Sequence, residues 1–180
     1  MPLYLWGDEG GEKYRDSYFD KYPGVWRHGD WIRIKPHGGC VIYGRSDSTI
    51  NRGGVRMGTS EIYSAVEKVE EVADSLVVDI PKQDGNSFMP LFVVLEEGAE
   101  LDDELKGRIK KSIRENASPR HVPNEILAVP DIPRTLNGKK LEVPVKKILA
   151  GQSPEKAASR DSLSNPGSLD RFAELAGKLG

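Results

Sequence analysis

Three segments carry residues whose types and spacing could do chemistry. Gly44-Arg-Ser-Asp-Ser-Thr-Ile-Asn-Arg-Gly-Gly-Val-Arg56 holds three glycines, three arginines and one acid, and runs into a helix start. A guanidinium presents a planar fork of N–H donors that matches phosphate oxygens, so arginines on a glycine-bearing turn suit a polyphosphate. The glycines of Gly53-Gly-Val-Arg-Met-Gly58 miss the first, third and sixth positions of the dinucleotide fingerprint, and no Walker-type Gly-Lys-Ser/Thr occurs. From the residues alone the segment is either a hairpin turn with solvated arginines or a flexible joint that offers them to a phosphate. Pro133-Arg-Thr-Leu-Asn-Gly-Lys-Lys140 contains Asn137-Gly138, a tight-turn pair in which both residues accept left-handed geometry. Such a turn is either a plain exposed loop or a support that holds the Lys139 ammonium at its tip. In Tyr22-Pro-Gly-Val-Trp-Arg-His-Gly-Asp-Trp31, Asp30 is either a turn former or a carboxylate aimed at ligand hydroxyls.

The elements around these segments follow from periodicity. Trp31-Ile-Arg-Ile-Lys35 alternates with a period of two and meets Cys40-Val-Ile-Tyr43 across Pro36-His-Gly-Gly39, which predicts a hairpin. Leu3 to Gly29 has too few apolar residues to bury a core alone. Thr59 or Ser60 is expected to cap a helix that carries Ile62, Val66 and Val69 on one face. Ser75–Ile80 and Leu91–Leu95 read as strands joined by the turn 82–86. A helix from about Asp102 carries Leu105, Ile109 and Ile113, acidic at its start and basic later, as the helix dipole favours. Glu125–Val129 reads as a third strand, and Pro144 as the first residue of a short helix with Val145, Ile148 and Leu149. Beyond Gly151 only Leu169–Ala176 is helically periodic. The expected fold is α+β, a small mixed β-sheet with packed helices over residues 47–150. A β-rich remnant at 1–46 precedes it, and a tail with a docking helix follows at 151–180.

Composition limits the function classes. Lys and Arg total 26 against 28 Asp and Glu over 180 residues, which argues against a nucleic-acid coat or a polybasic membrane anchor. The basic residues of the helix at 102–116 are offset by acids just upstream. No apolar run reaches a membrane span, and the N-terminus lacks the regions of a signal peptide. A single cysteine, Cys40, permits no internal disulfide, and His28, His37 and His121 lack metal-ligand spacing. The expectation is a cytoplasmic chain with no metal site of its own.

Taken in order, Trp26-Arg-His-Gly-Asp30, Gly44-Arg-x-Asp47, Gly54-x-Arg56 with Glu61-Ile62, and Pro133-x-Thr-x-x-Gly-Lys139 resemble the C-terminal part of the adenylate-forming superfamily. Within it, Asn51–Gly58, Ala117–Pro123 and Ser164–Asp170 resemble the acetoacetate-activating branch of the acyl-CoA synthetases. The resemblance implies a ligase that activates a short-chain keto acid with ATP and passes the acyl group to CoA. It implies that a small C-terminal domain rotates about a hinge between the two half-reactions.

By the same resemblance Lys139 is the catalytic lysine of adenylation. Asp30 accepts from the ribose hydroxyls, while Arg45 and Arg56 meet the ribose and phosphates of ATP or AMP. Asp47 is the hinge residue, and Gly54 and Arg114 lie on the CoA path. The family's upstream phosphate loop and magnesium-binding Glu have no counterpart in these residues. The chain is therefore expected to be the end of the N-terminal domain, the hinge and the C-terminal domain. Its partner is then the missing N-terminal domain, which carries the magnesium ligand. The other reading left open is a non-catalytic interaction or regulatory module.

Overall fold

The computed structural model describes residues 2–52, 55–82 and 87–179, which form two compact units, 1–46 and 47–180. In the first, α1 (Glu12–Tyr18) begins after Asp8, whose carboxylate accepts from Lys13 N and Tyr14 N at 3.1 and 2.8 Å. That bond pair satisfies helix-start N–H groups that have no partner inside the helix. The predicted hairpin is present: β1 (Asp30–Ile34) pairs antiparallel with β2 (Cys40–Arg45), with a bulge between Trp31 and Ile32. No described side chain of this unit is buried, and Leu3, Trp6, Ile34 and Ile42 are largely exposed. Its shortage of apolar residues thus has the expected effect.

The second unit opens with a small antiparallel hairpin, β3 (Ile50–Arg52) and β4 (Val55–Met57), followed by α2 (Thr59–Val66). Next come β5 (Val72–Val77), the two-residue strands β6 (Ile80–Pro81) and β7 (Ser87–Phe88), β8 (Pro90–Leu95) and α3 (Asp103–Asn116). A 3-10 turn (Pro119–His121) leads to β9 (Glu125–Ala128), then α4 (Glu142–Leu149), α5 (Pro154–Ala157) and α6 (Ser168–Leu179). The central sheet has the order β5-β8-β9, antiparallel between β5 and β8 and parallel between β8 and β9.

Period-two alternation splits that sheet between two cores. Val77, Leu91, Val93 and Ile126 join Ile62 and Val66 of α2 and Leu105, Ile109 and Ile113 of α3 in the first. Leu76, Val78, Phe92 and Val129 join Val145 and Ile148 of α4 in the second. The segment expected as a tail supplies Leu163, Leu169, Phe172 and Leu175 to this second core. Its Phe172 ring meets Phe92 edge-on, 4.8 Å between centroids.

Four local expectations are corrected. Neither Thr59 nor Ser60 caps α2: the helix already includes both, and Gly58 in extended conformation precedes it with no side-chain bond. Pro144 is the third residue of α4, where the missing N–H still costs no helical hydrogen bond. In the Asn137-Gly138 turn only Gly138 is left-handed, at φ +76°. Asp102, expected in the first turn of α3, instead caps it, accepting from Leu105 N at 2.7 Å. The turn predicted at 82–86 lies almost wholly outside the described residues. Among those described, no helix is long and apolar enough to cross a membrane.

Candidate functional site

In the first unit the hairpin register places Asp30 directly across from Arg45. Arg45 Nη1 lies 3.6 Å from Asp30 Oδ1 and donates to the His28 carbonyl at 3.2 Å. His28 Nδ1 is 2.5 Å from the other carboxylate oxygen. Gly29 makes this cluster possible. Its φ is +90°, and a Cβ there would stand 3.2 Å from Arg45 Nη2. Beside the cluster lies an open cavity of about 260 Å³, lined by Tyr22, Trp26, His28, Asp30 and Trp31. Aromatic walls with a carboxylate at the edge fit a flat ring that carries hydroxyls.

The β3–β4 hairpin is anchored by its own alternation. The facing pair Ile50 and Met57 is buried in the first core, while the facing pair Asn51 and Arg56 is exposed. At its outer end Arg52 donates to the carbonyls of Arg120 and Val122, at 3.3 and 2.6 Å. The hairpin that carries Arg56 is thus tied to the loop after α3. Gly54 lies outside the described residues. Asp47, exposed, is the first residue of the second unit.

Lys139 sits on a tightly closed loop. Gly138 N donates to Thr135 O at 2.8 Å, Thr135 N to Lys139 O at 2.9 Å, and Lys139 N to Thr135 Oγ1 at 3.1 Å. These bonds fix the backbone and leave the Lys139 side chain exposed. Its neighbour has the opposite fate. Lys140 Nζ donates to Ser75 O at 2.6 Å, lies 2.9 Å from Asp74 Oδ1, and stands 4.0 Å from the centre of the Tyr63 ring. Asp74 Oδ2 also holds Arg134 Nη2 at 2.6 Å. One carboxylate therefore grips both ends of the loop.

Burial of Asp74 pulls its pKa up, but hydrogen bonds from Lys140, Arg134 and the Ser75 N–H outweigh this and hold it below the ordinary carboxylate value. Tyr63 donates to Glu142 Oε1 at 2.6 Å. Its phenol is pushed far above its ordinary pKa, first by burial and then by the Glu142 charge.

A testable pH dependence follows. Because the folded state depresses the Asp74 pKa, the stability it contributes is present above its unfolded value, about 3.9, and lost as pH falls through the folded value. Asp74→Asn is expected to be less stable by about 2 kcal/mol at neutral pH. The gap should narrow as pH falls below about 3.9 in denaturant titrations. A gap that is independent of pH would refute the charge-based account.

Arg114, exposed, is in the last turn of α3. The basic side chains of that helix are largely matched: Arg108 with Glu71 at 2.5 Å, Lys111 with Glu115 at 4.0 Å, Lys106 with Asp103 at 3.9 Å. Buried His121 stands between Ser118 Oγ, 2.8 Å from Nδ1, and Glu61 Oε2, 2.8 Å from Nε2. A carboxylate only accepts, so Nε2 donates to Glu61. Among the described residues, no three His, Cys, Asp or Glu side chains form a group that could hold a metal ion.

The structure thus brings Asp30 and Arg45 together, and sets Arg56 on strand β4 and Lys139 on a loop of the second unit. The sequence reading missed Asp74, Arg134, Lys140 and Tyr63. A signal was available: Asp74 interrupts an apolar strand, and Lys140 doubles the lysine at the loop's end.

Residues 61–139 match the AMP-binding enzyme C-terminal domain. The chain is 49% identical over 175 residues to the acetoacetyl-coenzyme A synthetase of Rhizobium meliloti (strain 1021), covering 97% of this chain and 26% of that protein. It is 48% identical over 176 residues to the acetoacetyl-CoA synthetase of Rattus norvegicus, with the same two coverages. The solved acetoacetyl-CoA synthetase from Streptomyces lividans superposes with a TM-score of 0.88 at 52% identity, over 100% of this chain and 27% of that one. The chain spans about a quarter of the length of the curated relatives it matches.

Proposed function

We propose that this chain serves an ATP-dependent acetoacetate–CoA ligase as its mobile C-terminal part, a reading supported by the match of residues 61–139 to the AMP-binding enzyme C-terminal domain. In the first half-reaction a carboxylate oxygen of the acid attacks the α-phosphorus of ATP and pyrophosphate leaves. In the second the CoA thiol attacks the acyl carbon and AMP leaves. The observation that carries the reading is the Lys139 loop, a backbone locked by three hydrogen bonds with an exposed ammonium at its tip. A compact mobile cation matches the negative charge that redistributes as carboxylate meets phosphate.

Around it the other residues take separate roles. Asp30 accepts from the vicinal ribose hydroxyls, its position fixed by Arg45 and His28. Arg45 and Arg56 face the nucleotide and its phosphates. Asp47 is the hinge, at the boundary between the two compact units. Gly54 leaves room for the pantetheine arm, and Arg114 meets the CoA nucleotide. Magnesium bound in the same enzyme would neutralise polyphosphate charge. Its ligand belongs to the N-terminal domain, the partner that supplies the acyl pocket. The proposed setting is the cytoplasm.

The test is acid-dependent ATP–pyrophosphate exchange by the protein that joins this chain to an N-terminal domain, and by this chain alone. Acetoacetate is expected to support exchange in the joined protein, and the chain alone to support none. Exchange with other short acids but not acetoacetate would overturn the substrate. Exchange with no acid at all would overturn the ligase.

A further inference from the structure

We propose that Arg134 is the positioning residue of the Lys139 loop, and that residues 162–165 of the C-terminal segment hold Arg134 in that task. The inference rests on the reading of Lys139 as the adenylation lysine. It concerns a different question, what aims that lysine.

Arg134 is joined to the loop and its surroundings at four points. Its Nη1 donates to the Gly138 carbonyl at 2.6 Å, the peptide group immediately before Lys139. Its Nη2 is held by Asp74 at 2.6 Å on the sheet side. Its backbone N donates to Asn165 Oδ1 at 3.0 Å, and its carbonyl accepts from Ser164 N at 3.0 Å. One planar guanidinium therefore spans from a carboxylate on β5 to the carbonyl that orients Lys139, while the far segment clamps its main chain. A lysine could reach only one of those two acceptors at a time, because its ammonium is a point and not a fork.

The clamp itself is built. Asn165 Nδ2 donates to the Ile132 carbonyl at 2.8 Å and to Asp131. Its Oδ1 accepts from Arg134, so both ends of the amide are occupied. Leu136 N donates to Ser162 O at 3.0 Å, and Thr135 forms a bridge with Leu163, whose side chain is buried in the second core. Leu163 seats the clamp in packed interior, so its position is set by the same core that holds the sheet. The Lys139 loop is consequently gripped along both edges, by β5 through Asp74 and by residues 162–165 through hydrogen bonds to 134–136.

A residue acting this way alters how often the ammonium is in line and leaves nucleotide affinity alone. In the ligase that contains this chain, Arg134→Ala is expected to lower kcat for pyrophosphate exchange about 10- to 100-fold, as a displacement near 1 Å does. KM for ATP should stay within about twofold. Thioester formation from supplied acetoacetyl-adenylate should be unchanged. Asn165→Ala, which removes no charge, should reproduce the split in smaller measure, and Arg134→Lys should fall between wild type and Arg134→Ala. Lys139→Ala is the control. If it leaves exchange intact, the reading of Lys139 fails. If it abolishes exchange while Arg134→Ala and Asn165→Ala remain within about twofold of wild type, the positioning role fails and the reading of Lys139 stands. A rise in KM for ATP with constant kcat would make Arg134 a nucleotide contact and also overturn the proposal. Should Arg134→Ala not fold, Arg134→Lys and Asn165→Ala decide by the same split.

Discussion

Lys139→Ala in the intact ligase is expected to slow adenylate formation by about 10²- to 10³-fold, the usual effect of removing one positioned donor to transition-state charge, and to spare thioester formation from preformed acyl-adenylate. The argument is geometric. The ammonium projects from a loop whose backbone is fixed by Thr135, Gly138 and Arg134, so it cannot serve two sites by bending. It can face the reacting phosphate in one domain orientation only. A bulky residue at Gly54 should do the reverse, because it would obstruct the thiol's approach and leave adenylation largely intact. Rapid-quench measurement of each half-reaction separates the two. If both substitutions slowed both steps alike, the domain-rotation reading would be wrong.

Removal of residues 151–180 is expected to abolish cooperative folding of the second unit's far core. The cut deletes Leu163, Leu169, Phe172 and Leu175, all buried. At about 1.5–3 kcal/mol for each side chain, the loss is comparable to the entire stability of an ordinary domain. It would also bare the Phe92 face of the sheet. The milder Phe172→Ala should cost about 3–5 kcal/mol through lost burial and a residual cavity. Urea titration followed by near-ultraviolet circular dichroism would check both. A truncated chain that melted cooperatively at the wild-type midpoint would disprove the packing account.

How much of this could be read from the amino acids depends on the range of the interaction. The period-two run at 31–35, the continuous apolar run at 91–95 and the four-residue spacing of Leu105, Ile109 and Ile113 became the expected strands and helix, because each is a local pattern of apolar residues. The acidic start of α3 was legible as well, although Asp102, expected in its first turn, stands before it as the cap. Lys139 was legible as a candidate because its turn is coded locally by Asn137 and Gly138. The partners of Asp74 and Asn165 were not legible. Their contacts to residues 134 and 140 span about 30–65 positions in sequence, and no periodicity encodes a pairing between a strand, a loop and a distant segment. The Thr59 and Pro144 misplacements are smaller, one or two residues at a helix start, where neighbouring polar residues compete for the same role.

The second core spans Leu76 to Leu175, whereas the first is complete by Ile126. During synthesis the two halves of the domain therefore mature at different times. Chain emerging at about 5–20 residues per second would close the α2–α3 side of the sheet while the opposite side still waits for α6. The Lys139 loop is made before residues 162–165, so a nascent chain paused after residue 140 carries the loop without the segment that bonds to 134–136. A ribosome that stops early would release a half-sealed sheet with Phe92 open to water, a surface for chaperones or proteases. Completion of the last helix is thus the event that seals the second core.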